Sequence, residues 1–240
     1  MNKNSALFLD IDGTLLDMAH TPEAVMVPDA LMEALKTLHG ALGGALAFVS
    51  GRPLSEIDRL FAPLQAPAIG CHGAQIRGGD GKTHTLTGPI GENARALFYS
   101  LAKAHTGTMV EDKIYVLALH YRLAPEARSA LEAALEGHQG LFAAENIVLQ
   151  HGTAVIEAKH SGIDKGVGVR ALLQEPPFLG RTPVFGGDDT TDMDVFRILP
   201  ELGGEGFSVG RRFQGAAYQF PSPQAVRQWL TDLAITGLAA

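Results

Sequence analysis

A short apolar run at residues 6–9 ends abruptly in two carboxylates, Asp10 and Asp12. Such a run is typical of a parallel strand that is buried on both faces, and ligands of open α/β sheets bind at the carboxyl ends of the strands. Two carboxylates this close repel each other by about 4 kcal/mol at about 4 Å and moderate dielectric. The pair is therefore either a cation site or a solvated turn. A calcium-binding loop does not fit, because its glycine lies six positions in, whereas Gly13 is the fourth residue counted from Asp10.

The composition predicts a soluble globular protein with one large domain or two small ones. The chain has 240 residues, 46% of them hydrophobic, and a formal charge of −7, which disfavours a nucleic-acid partner. No segment approaches the roughly 20 apolar residues of a transmembrane helix, and no signal peptide is expected before the first strand. The single cysteine, Cys71, excludes an internal disulfide and suits a reducing compartment, so the cytoplasm is the expected location. A monomer is compatible with these features.

The order of predicted strands and helices indicates an α/β core that carries an insertion. A loop is expected from the first strand to Pro28, where a helix begins. The core strands are predicted from apolar runs at residues 6–9, 45–49, 68–70, 183–186 and 206–209. Between residues 88 and 161 the pattern changes to helix and hairpin twice over, which is typical of a small α+β unit. We therefore expect a Rossmann-like core with a mostly parallel sheet, formed by residues 1–87 and 162–240, and an inserted cap formed by residues 88–161.

Three further strand-end loops carry polar residues. Ser50 is predicted between a strand and a helix, where its hydroxyl either helps to bind an anion or simply caps the helix. Lys165 is predicted in the first turn of a helix, where a cation opposes the helix dipole, so it is either functional or a solvated surface lysine. The acids after the strand at residues 183–186 either cap the following helix or bind a hard cation such as Mg²⁺. These acids are Asp188, Asp189, Asp192 and Asp194.

Together these loops predict the chemistry of phosphate ester hydrolysis. Asp10 is the candidate nucleophile, because a carboxylate can form an aspartyl phosphate and so divide one difficult step into two. Asp12 is the candidate acid and base, which protonates the leaving oxygen and later deprotonates the attacking water. Ser50 and Lys165 would hold the phosphoryl oxygens. Mg²⁺, bound by Asp10, the carbonyl of Asp12 and Asp188, would neutralise the developing charge.

These motifs resemble those of the haloacid dehalogenase superfamily of phosphatases. The matching segments are Asp10-Ile11-Asp12-Gly13-Thr14, Ser50-Gly51-Arg52, Lys165 and Gly187-Asp188-Asp189-Thr190-Thr191-Asp192. The resemblance implies a Rossmann-like core, dependence on Mg²⁺ and a nucleophilic Asp10, with Asp189 and Asp192 orienting the metal shell. It also implies that the insertion is a type-two cap, which closes over small substrates.

A closer resemblance is to the trehalose-6-phosphate phosphatases. The matching pieces are Val49-Ser50-Gly51-Arg52-Pro53, His72-Gly73-Ala74, Glu111-Asp112-Lys113, His120-Tyr121-Arg122, Glu157-Ala158-Lys159, Gly162-Ile163-Asp164-Lys165-Gly166 and Gly187-Asp188-Asp189. In that family, acids and bases of the cap hold the glucose hydroxyls, which implies sugar contacts from Glu111, Lys113, Arg122, Glu157 and Lys159. The same resemblance implies further substrate contacts from Thr14, Gly51, Arg52, His72 and Gly73. The expected partner is thus a small sugar phosphate.

Four positions depart from the family pattern and leave alternatives open. Gln75 and Met193 stand where glutamate is usual, Gly186 replaces a branched residue, and His160 replaces a proline. The alternatives are phosphatases of sucrose phosphate, mannosylglycerate phosphate or hexose phosphates, and a non-catalytic phosphosugar sensor. A dinucleotide-dependent oxidoreductase is a further alternative, because residues 166–171 fit the glycine fingerprint, although no strand is predicted directly before them.

Overall fold

The computed structural model describes residues 1–18, 25–152 and 154–239. The chain forms two compact units, of which the first comprises Met1–Leu86 and Asp164–Ala240 and the second Thr87–Ile163. We call the first unit the core and the second the cap. Part of the loop that the sequence predicts before Pro28 lies outside the described residues.

The described strands and helices are numbered in chain order. The strands are β1 (Ser5–Asp10), β2 (Leu46–Val49), β3 (Ala68–Gly70), β4 (Gln75–Arg77), β5 (Thr83–Thr85), β6 (Met109–Asp112), β7 (Val116–His120), β8 (Ile147–Gly152), β9 (Val155–His160), β10 (Thr182–Gly187), β11 (Glu205–Val209) and β12 (Tyr218–Phe220). The helices are α1 (Asp29–Ala41), α2 (Leu54–Phe61), α3 (Glu92–Ala104), α4 (Arg128–Glu136), α5 (Gln139–Ala144), α6 (Lys165–Leu172), α7 (Met193–Phe196) and α8 (Pro223–Thr236). Within the described residues, no helix is both long and apolar enough to cross a lipid bilayer.

The core is built on a sheet whose described strands run in the order β12-β11-β10-β1-β2-β3-β4-β5. Neighbouring strands from β12 to β3 are parallel, and β4 and β5 extend one edge in antiparallel pairing. All six residues of β1 are buried, as expected for an apolar strand in the middle of a parallel sheet. The predicted fold class, a mostly parallel sheet with a separate α+β insertion, is confirmed.

Apolar stripes dock the core helices on this sheet. Helix α1 buries Leu31, Leu35 and Leu38, which recur at helical spacing on one face. Helix α8 buries Val226 and Leu230 in the same way. These contacts bury the helices against a sheet whose carboxyl strand ends remain available for polar residues.

The cap contains a second hydrophobic centre around an antiparallel sheet in the order β6-β7-β9-β8. Leu117, Leu119 and Ile156 lie in that centre, together with Phe98 of α3 and Leu131 of α4. Because side chains alternate between the two faces of a strand, the residues between these apolar positions project from the opposite face of the cap sheet. That opposite face carries most of the sugar contacts that the sequence predicts.

Candidate active site

The turn after β1 places Asp10 and Asp12 at the carboxyl end of the central strand. Asp10 is the last residue of β1 and is only 4% exposed. Gly13 then adopts φ of +86°, a left-handed conformation, and its N–H donates to the carbonyl of Leu16 at 2.8 Å. A Cβ on Gly13 would overlap the carboxylate of Asp188, so glycine is needed here for space as well as for conformation. The turn thereby brings β1 and the acidic loop after β10 into contact.

Lys165 is buried between two carboxylates. As the first residue of α6 it follows Asp164, whose side chain caps the helix by accepting from the N–H of Val167 at 2.8 Å. The Nζ of Lys165 donates to Oδ1 of Asp10 and to Oδ1 of Asp192, both at 2.7 Å. Burial alone would lower the pKa of Lys165, but the charges of Asp10 and Asp192 outweigh it and raise that pKa. The ammonium is therefore held in its charged form, and the alternative of a solvated surface lysine is wrong.

The acidic loop after β10 separates its aspartates by role. The fully buried Asp192 accepts at Oδ2 from the N–H groups of Asp188 and Asp189, at 2.8 and 3.0 Å. Asp188 accepts from the hydroxyl of Thr14 at 3.0 Å, so the predicted substrate contact Thr14 is bonded to this carboxylate. Asp189 caps the turn Thr190–Asp192 and lies 3.4 Å from Nη2 of Arg211. Asp192 thus fixes the loop, and Asp188 is directed towards Asp10.

Of the five predicted metal ligands, Asp10, Asp188 and Asp192 come together, whereas Asp189 and the side chain of Asp12 do not. One carboxylate oxygen from each of Asp10, Asp188 and Asp192 lies within 4.8 Å of the others. Burial, followed by the nearby charges of Asp192 and Asp188, raises the pKa of Asp10, and Lys165 opposes the change only in part. Burial and the charge of Asp192 raise the pKa of Asp188 to about 6. Asp189 lies outside this cluster.

The donor set of the cluster fits a hard divalent cation. All three ligand atoms are carboxylate oxygens, which is the chemistry that Mg²⁺ and Ca²⁺ prefer. Burial and the charge of Asp192 raise the pKa of both Asp10 and Asp188, and a bound cation would offset the negative charge of these buried carboxylates. The carboxylate of Asp12 is bonded to Arg52 instead, and a metal contact from the carbonyl of Asp12 stays a prediction.

Ser50 begins the loop after β2, in a position that excludes a simple helix cap. Helix α2 starts at Leu54, and its N-cap residue is Pro53. The buried Ser50 accepts at Oγ from the N–H of Arg52 at 3.1 Å, ahead of that helix. Its carbonyl accepts from the N–H of His72 at 3.0 Å, which links this loop to the loop after β3. Ser50 therefore lies in one of the strand-end loops that meet at the site.

The loop after β3 is held in a strained backbone conformation. The backbone φ angle is +48° at Cys71, +54° at His72 and +110° at Gly73. Residues with a side chain, such as Cys71 and His72, rarely adopt a positive φ. His72 is 7% exposed, and its ring lies so close to Gly51 that a Cβ there would overlap it. Such strain persists only where the surroundings impose it, and it concentrates at functional sites. A Cβ on Gly73 would overlap the carbonyl of Asp164, so this loop also packs against the start of α6.

Arg52 binds a carboxylate of the site in this structure. Its Nε and Nη2 donate to the two oxygens of Asp12 at 2.6 and 2.8 Å, and its Nη1 donates to Oε2 of Glu56 at 3.0 Å. Burial would lower the pKa of Arg52, but the bond to Asp12 outweighs it and raises that pKa. Sequence reasoning missed Glu56, whose only signal is its position four residues after Arg52, one helical turn away.

Three of the five sugar contacts predicted in the cap, Glu111, Lys113 and Glu157, form a charged network. Lys113 lies 3.4 Å from Oε1 of Glu157 and 3.7 Å from Oε2 of Glu111. Lys159 and Glu157 are both 9% exposed and follow each other on the same face of β9. Arg122 is exposed in the turn after β7. The charged side chains of β6 and β9 therefore meet on the face opposite the apolar centre of the cap.

Sequence reasoning left His120 out of the candidate site residues. Its Nε2 lies 2.9 Å from Oε2 of Glu111, on the same charged face. The signal that could have found it is strand alternation, because His120 is two positions from Ala118 in β7 and so shares its face.

Comparison with known proteins identifies the family of the chain. The sequence model of the trehalose-phosphatase family matches residues 8–215. The chain belongs to the trehalose-phosphatase family. A probable trehalose-phosphate phosphatase of Sinorhizobium fredii is 41% identical over an alignment of 239 residues, which covers 98% of this chain and 89% of the relative. The trehalose-6-phosphate phosphatase of Escherichia coli is 37% identical over 227 residues, which are 94% of this chain and 85% of the relative. This trehalose-phosphatase family member is thus a phosphatase, as its motifs predict.

Solved structures agree with the family membership at the level of the fold. The C-terminal domain of the trehalose-6-phosphate phosphatase of C. albicans aligns with a TM-score of 0.83 at 21% identity, covering 97% of this chain and 92% of that one. A trehalose-6-phosphate phosphatase related protein aligns with a TM-score of 0.80 at 24% identity, covering 96% of this chain and 97% of that one.

The glycines of the dinucleotide fingerprint have packing roles in this trehalose-phosphatase family member. Gly166 and Gly168 lie inside α6, and added Cβ atoms would overlap the carbonyl of Asp194 and the side chain of Ile69, at 2.5 and 2.6 Å. They therefore allow α6 to approach its neighbours. The strand before α6 is β9 of the cap sheet and the chain belongs to a phosphatase family, so the oxidoreductase alternative is wrong.

The departures from the family pattern have local explanations. Gln75 accepts at Oε1 from the N–H of Leu54 at 3.1 Å, so its amide caps the start of α2 where a glutamate is usual. A Cβ on Gly186 would overlap the ring of Phe207, so glycine leaves room for this aromatic residue in the core. Met193 packs against the core cluster, and His160 lies on the cap with Nε2 3.3 Å from the carbonyl of Pro89.

Proposed function

We propose that this chain is a magnesium-dependent phosphatase that hydrolyses trehalose 6-phosphate to trehalose and phosphate. The observation that carries the proposal is the buried set in which Lys165 bridges Asp10 and Asp192 at 2.7 Å, beside Asp188. Support for the substrate comes from the relatives at 41% and 37% identity, both of which are named as phosphatases of trehalose phosphate.

In the first step, a carboxylate oxygen of Asp10 attacks phosphorus, and the bond between phosphorus and the sugar oxygen breaks. The sugar oxygen takes a proton from Asp12, and the phosphoryl group stays on Asp10 as an aspartyl phosphate. Lys165 orients Asp10 through its bond to Oδ1 and places positive charge beside the reacting carboxylate. Arg52 holds both oxygens of Asp12, so at least one of these bonds opens before the proton is transferred.

In the second step, a water molecule attacks the phosphorus of the aspartyl phosphate. Asp12 accepts a proton from this water, the bond between Asp10 and phosphorus breaks, and inorganic phosphate leaves. Asp10, Asp188 and the carbonyl of Asp12 would hold a bound Mg²⁺, and Asp189 and Asp192 would orient its surroundings. The ion would neutralise charge on the phosphoryl oxygens.

The remaining contacts are assigned to the two parts of the substrate. The loops after β2 and β3 meet beside the carboxylates of the core site, so we propose that they hold the phosphoryl group of the substrate. The residues of this first group are Ser50, Gly51, His72 and Gly73. Thr14 and Arg52 act there through Asp188 and Asp12, to which they are bonded. The sugar is proposed to bind the charged face of the cap, since charge-assisted hydrogen bonds suit its hydroxyls. The residues of this second group are Glu111, Lys113, Arg122, Glu157 and Lys159.

Phosphate release from a panel of sugar phosphates, with Mg²⁺ and with a chelator, tests the proposal. The panel contains trehalose 6-phosphate, sucrose phosphate, mannosylglycerate phosphate and glucose 6-phosphate. We expect the highest kcat/KM on trehalose 6-phosphate and loss of turnover in the chelator. A higher kcat/KM on another sugar phosphate would identify that compound as the substrate instead. If no sugar phosphate released phosphate, the alternative of a non-catalytic phosphosugar sensor would be favoured. The cytoplasmic location stays a prediction.

A further inference from the structure

A row of directly opposed residues crosses the cap sheet on its charged face. In the strand register, Glu111 on β6 lies opposite Ala118 on β7, Ala118 lies opposite Glu157 on β9, and Glu157 lies opposite Gln150 on β8. Directly opposed residues of antiparallel strands carry their side chains on the same face. Gln150 therefore shares a face with Glu111 and Glu157, although it lies outside the short motifs from which the sugar contacts are predicted. We call these four residues the Gln150 row.

The Gln150 row combines groups that recognise a neutral polyol. Glu157 and Glu111 accept hydrogen bonds, and Lys113 lies 3.4 and 3.7 Å from them as a donor. Gln150 adds an uncharged amide, which donates and accepts at once and so suits a hydroxyl that does the same. Between the two acids the row carries only the methyl group of Ala118.

Gln150 itself has no evident structural use for its amide. The residue is half-buried on the edge strand β8, and within the described part of the chain its side chain makes no hydrogen bond. Glu157, directly opposite, makes a charged contact with Lys113. The amide of Gln150 is thus available at one end of the row.

The length of the row suits a sugar longer than one ring. Four adjacent strands span three strand spacings, or about 14 Å between the outer backbones. A single pyranose ring covers only part of that distance, whereas two linked rings extend along it. Gln150 and Glu111 lie at the opposite ends of the row, so both ends are needed to hold an extended substrate.

We propose that Gln150 is a specificity-determining residue, whose amide hydrogen-bonds hydroxyl groups of the sugar portion of the substrate. This inference rests on the proposed function and adds to it a contact that the family resemblance does not give. The contact is to sugar hydroxyls and not to the reacting phosphoryl group. It stabilises the bound substrate and the transition state equally, so its loss changes KM rather than kcat.

The test compares Gln150→Met and Gln150→Ala with wild type on trehalose 6-phosphate and on p-nitrophenyl phosphate, with Mg²⁺ present. Methionine keeps the volume of the side chain and removes its hydrogen bonds. We expect KM for trehalose 6-phosphate to rise about threefold to tenfold at unchanged kcat, because one neutral hydrogen bond is lost. The kcat and KM for p-nitrophenyl phosphate, which has no sugar, should stay as in wild type.

Gln139→Met is the matched control, because Gln139 is a glutamine on the exposed side of α5 in the same unit. Gln139→Met should leave kcat and KM unchanged for both substrates. The thermal midpoint of each variant checks that the variant is folded. Unchanged KM for trehalose 6-phosphate, or equal losses on both substrates, would overturn the role of Gln150. If wild type itself fails to hydrolyse trehalose 6-phosphate, the proposed function fails instead, so the two failures are distinguishable.

Discussion

The guanidinium of Arg52 holds both carboxylate oxygens of Asp12, with Nε 2.6 Å from Oδ2 and Nη2 2.8 Å from Oδ1. Such a two-point bond fixes the side chain of Asp12 more firmly than a single ammonium would. The third arm of Arg52 is bonded to Glu56 at 3.0 Å, which keeps the cation paired when Asp12 moves. The position of the proposed acid and base therefore depends on Arg52.

Replacing Arg52 should affect substrates according to their leaving group. With Arg52→Gln we expect kcat on trehalose 6-phosphate to fall by about 10²-fold, because a displaced Asp12 no longer protonates the sugar oxygen. The fall on p-nitrophenyl phosphate should be smaller, because its leaving group needs no proton. The ratio of the two kcat values is the measurement. Arg52→Lys is a second variant, which keeps the positive charge but cannot form the two-point bond of a guanidinium to Asp12. Equal losses on both substrates would show that Arg52 acts on the phosphoryl group instead.

Asp10→Asn should abolish turnover while leaving binding largely intact. The amide has the shape of the carboxylate but is a poor nucleophile, so we expect phosphate release to fall by at least about 10³-fold. Calorimetry with trehalose 6-phosphate measures the binding that remains. Asp29→Asn, at an exposed position of α1, is the control and should keep wild-type turnover. Substantial activity in Asp10→Asn would exclude an aspartyl phosphate on this residue.

Lys165→Met should lower the free energy of unfolding by about 3–5 kcal/mol, because it leaves the buried carboxylates Asp10 and Asp192 without their cation. Urea denaturation in the absence of divalent metal measures this loss. Lys103→Met, on an exposed position of α3, should change stability by no more than about 0.5 kcal/mol. A loss below about 1 kcal/mol in Lys165→Met would mean that the two carboxylates find another partner.

Glu111→Gln should give a loss of stability that depends on pH. Burial would raise the pKa of Glu111, but the hydrogen bond with His120 and the charge of Lys113 outweigh it and lower the pKa below its usual 4.5. A lowered pKa stabilises the folded state above about pH 4.5, and this contribution is lost as pH falls through the folded value. We expect the variant to be about 1 kcal/mol less stable at pH 7 and equal to wild type near pH 3. Thermal midpoints between pH 3 and 8 measure the difference, and a constant difference would contradict the assignment.

Arg122→Ala should weaken turnover of trehalose 6-phosphate more than that of a small phosphoester. Arg122 is exposed in the turn after β7, so its replacement leaves the packing of the cap unchanged. We expect kcat/KM for the sugar phosphate to fall by about tenfold, as for one lost charged hydrogen bond. Parallel assays with p-nitrophenyl phosphate supply the reference, and equal losses would refute a role in sugar recognition.

Features that depend on neighbours along the chain were predictable from the sequence. The apolar run that becomes β1 and the two carboxylates after it follow from local pattern, because a strand buried on both faces tolerates few polar residues. Lys165 was also recognisable, because a cation in the first turn of α6 contradicts the helix dipole and so requires a partner elsewhere. The sequence could not say that this partner is a pair, Asp10 and Asp192.

The sequence by itself determined the chemistry available to this protein: strand ends that carry carboxylates, a lysine in the first turn of a helix, and a separate α+β unit with charged hairpins. Only the tertiary structure decided which groups meet: Arg52 is bonded to Asp12, and Gln150 lies opposite Glu157 in the cap sheet. The physical reason is that composition and periodicity act over a few residues, whereas side-chain contacts depend on strand register and on packing to fractions of an ångström. Gly186 illustrates this dependence, because only the position of the ring of Phe207 explains why no side chain fits there.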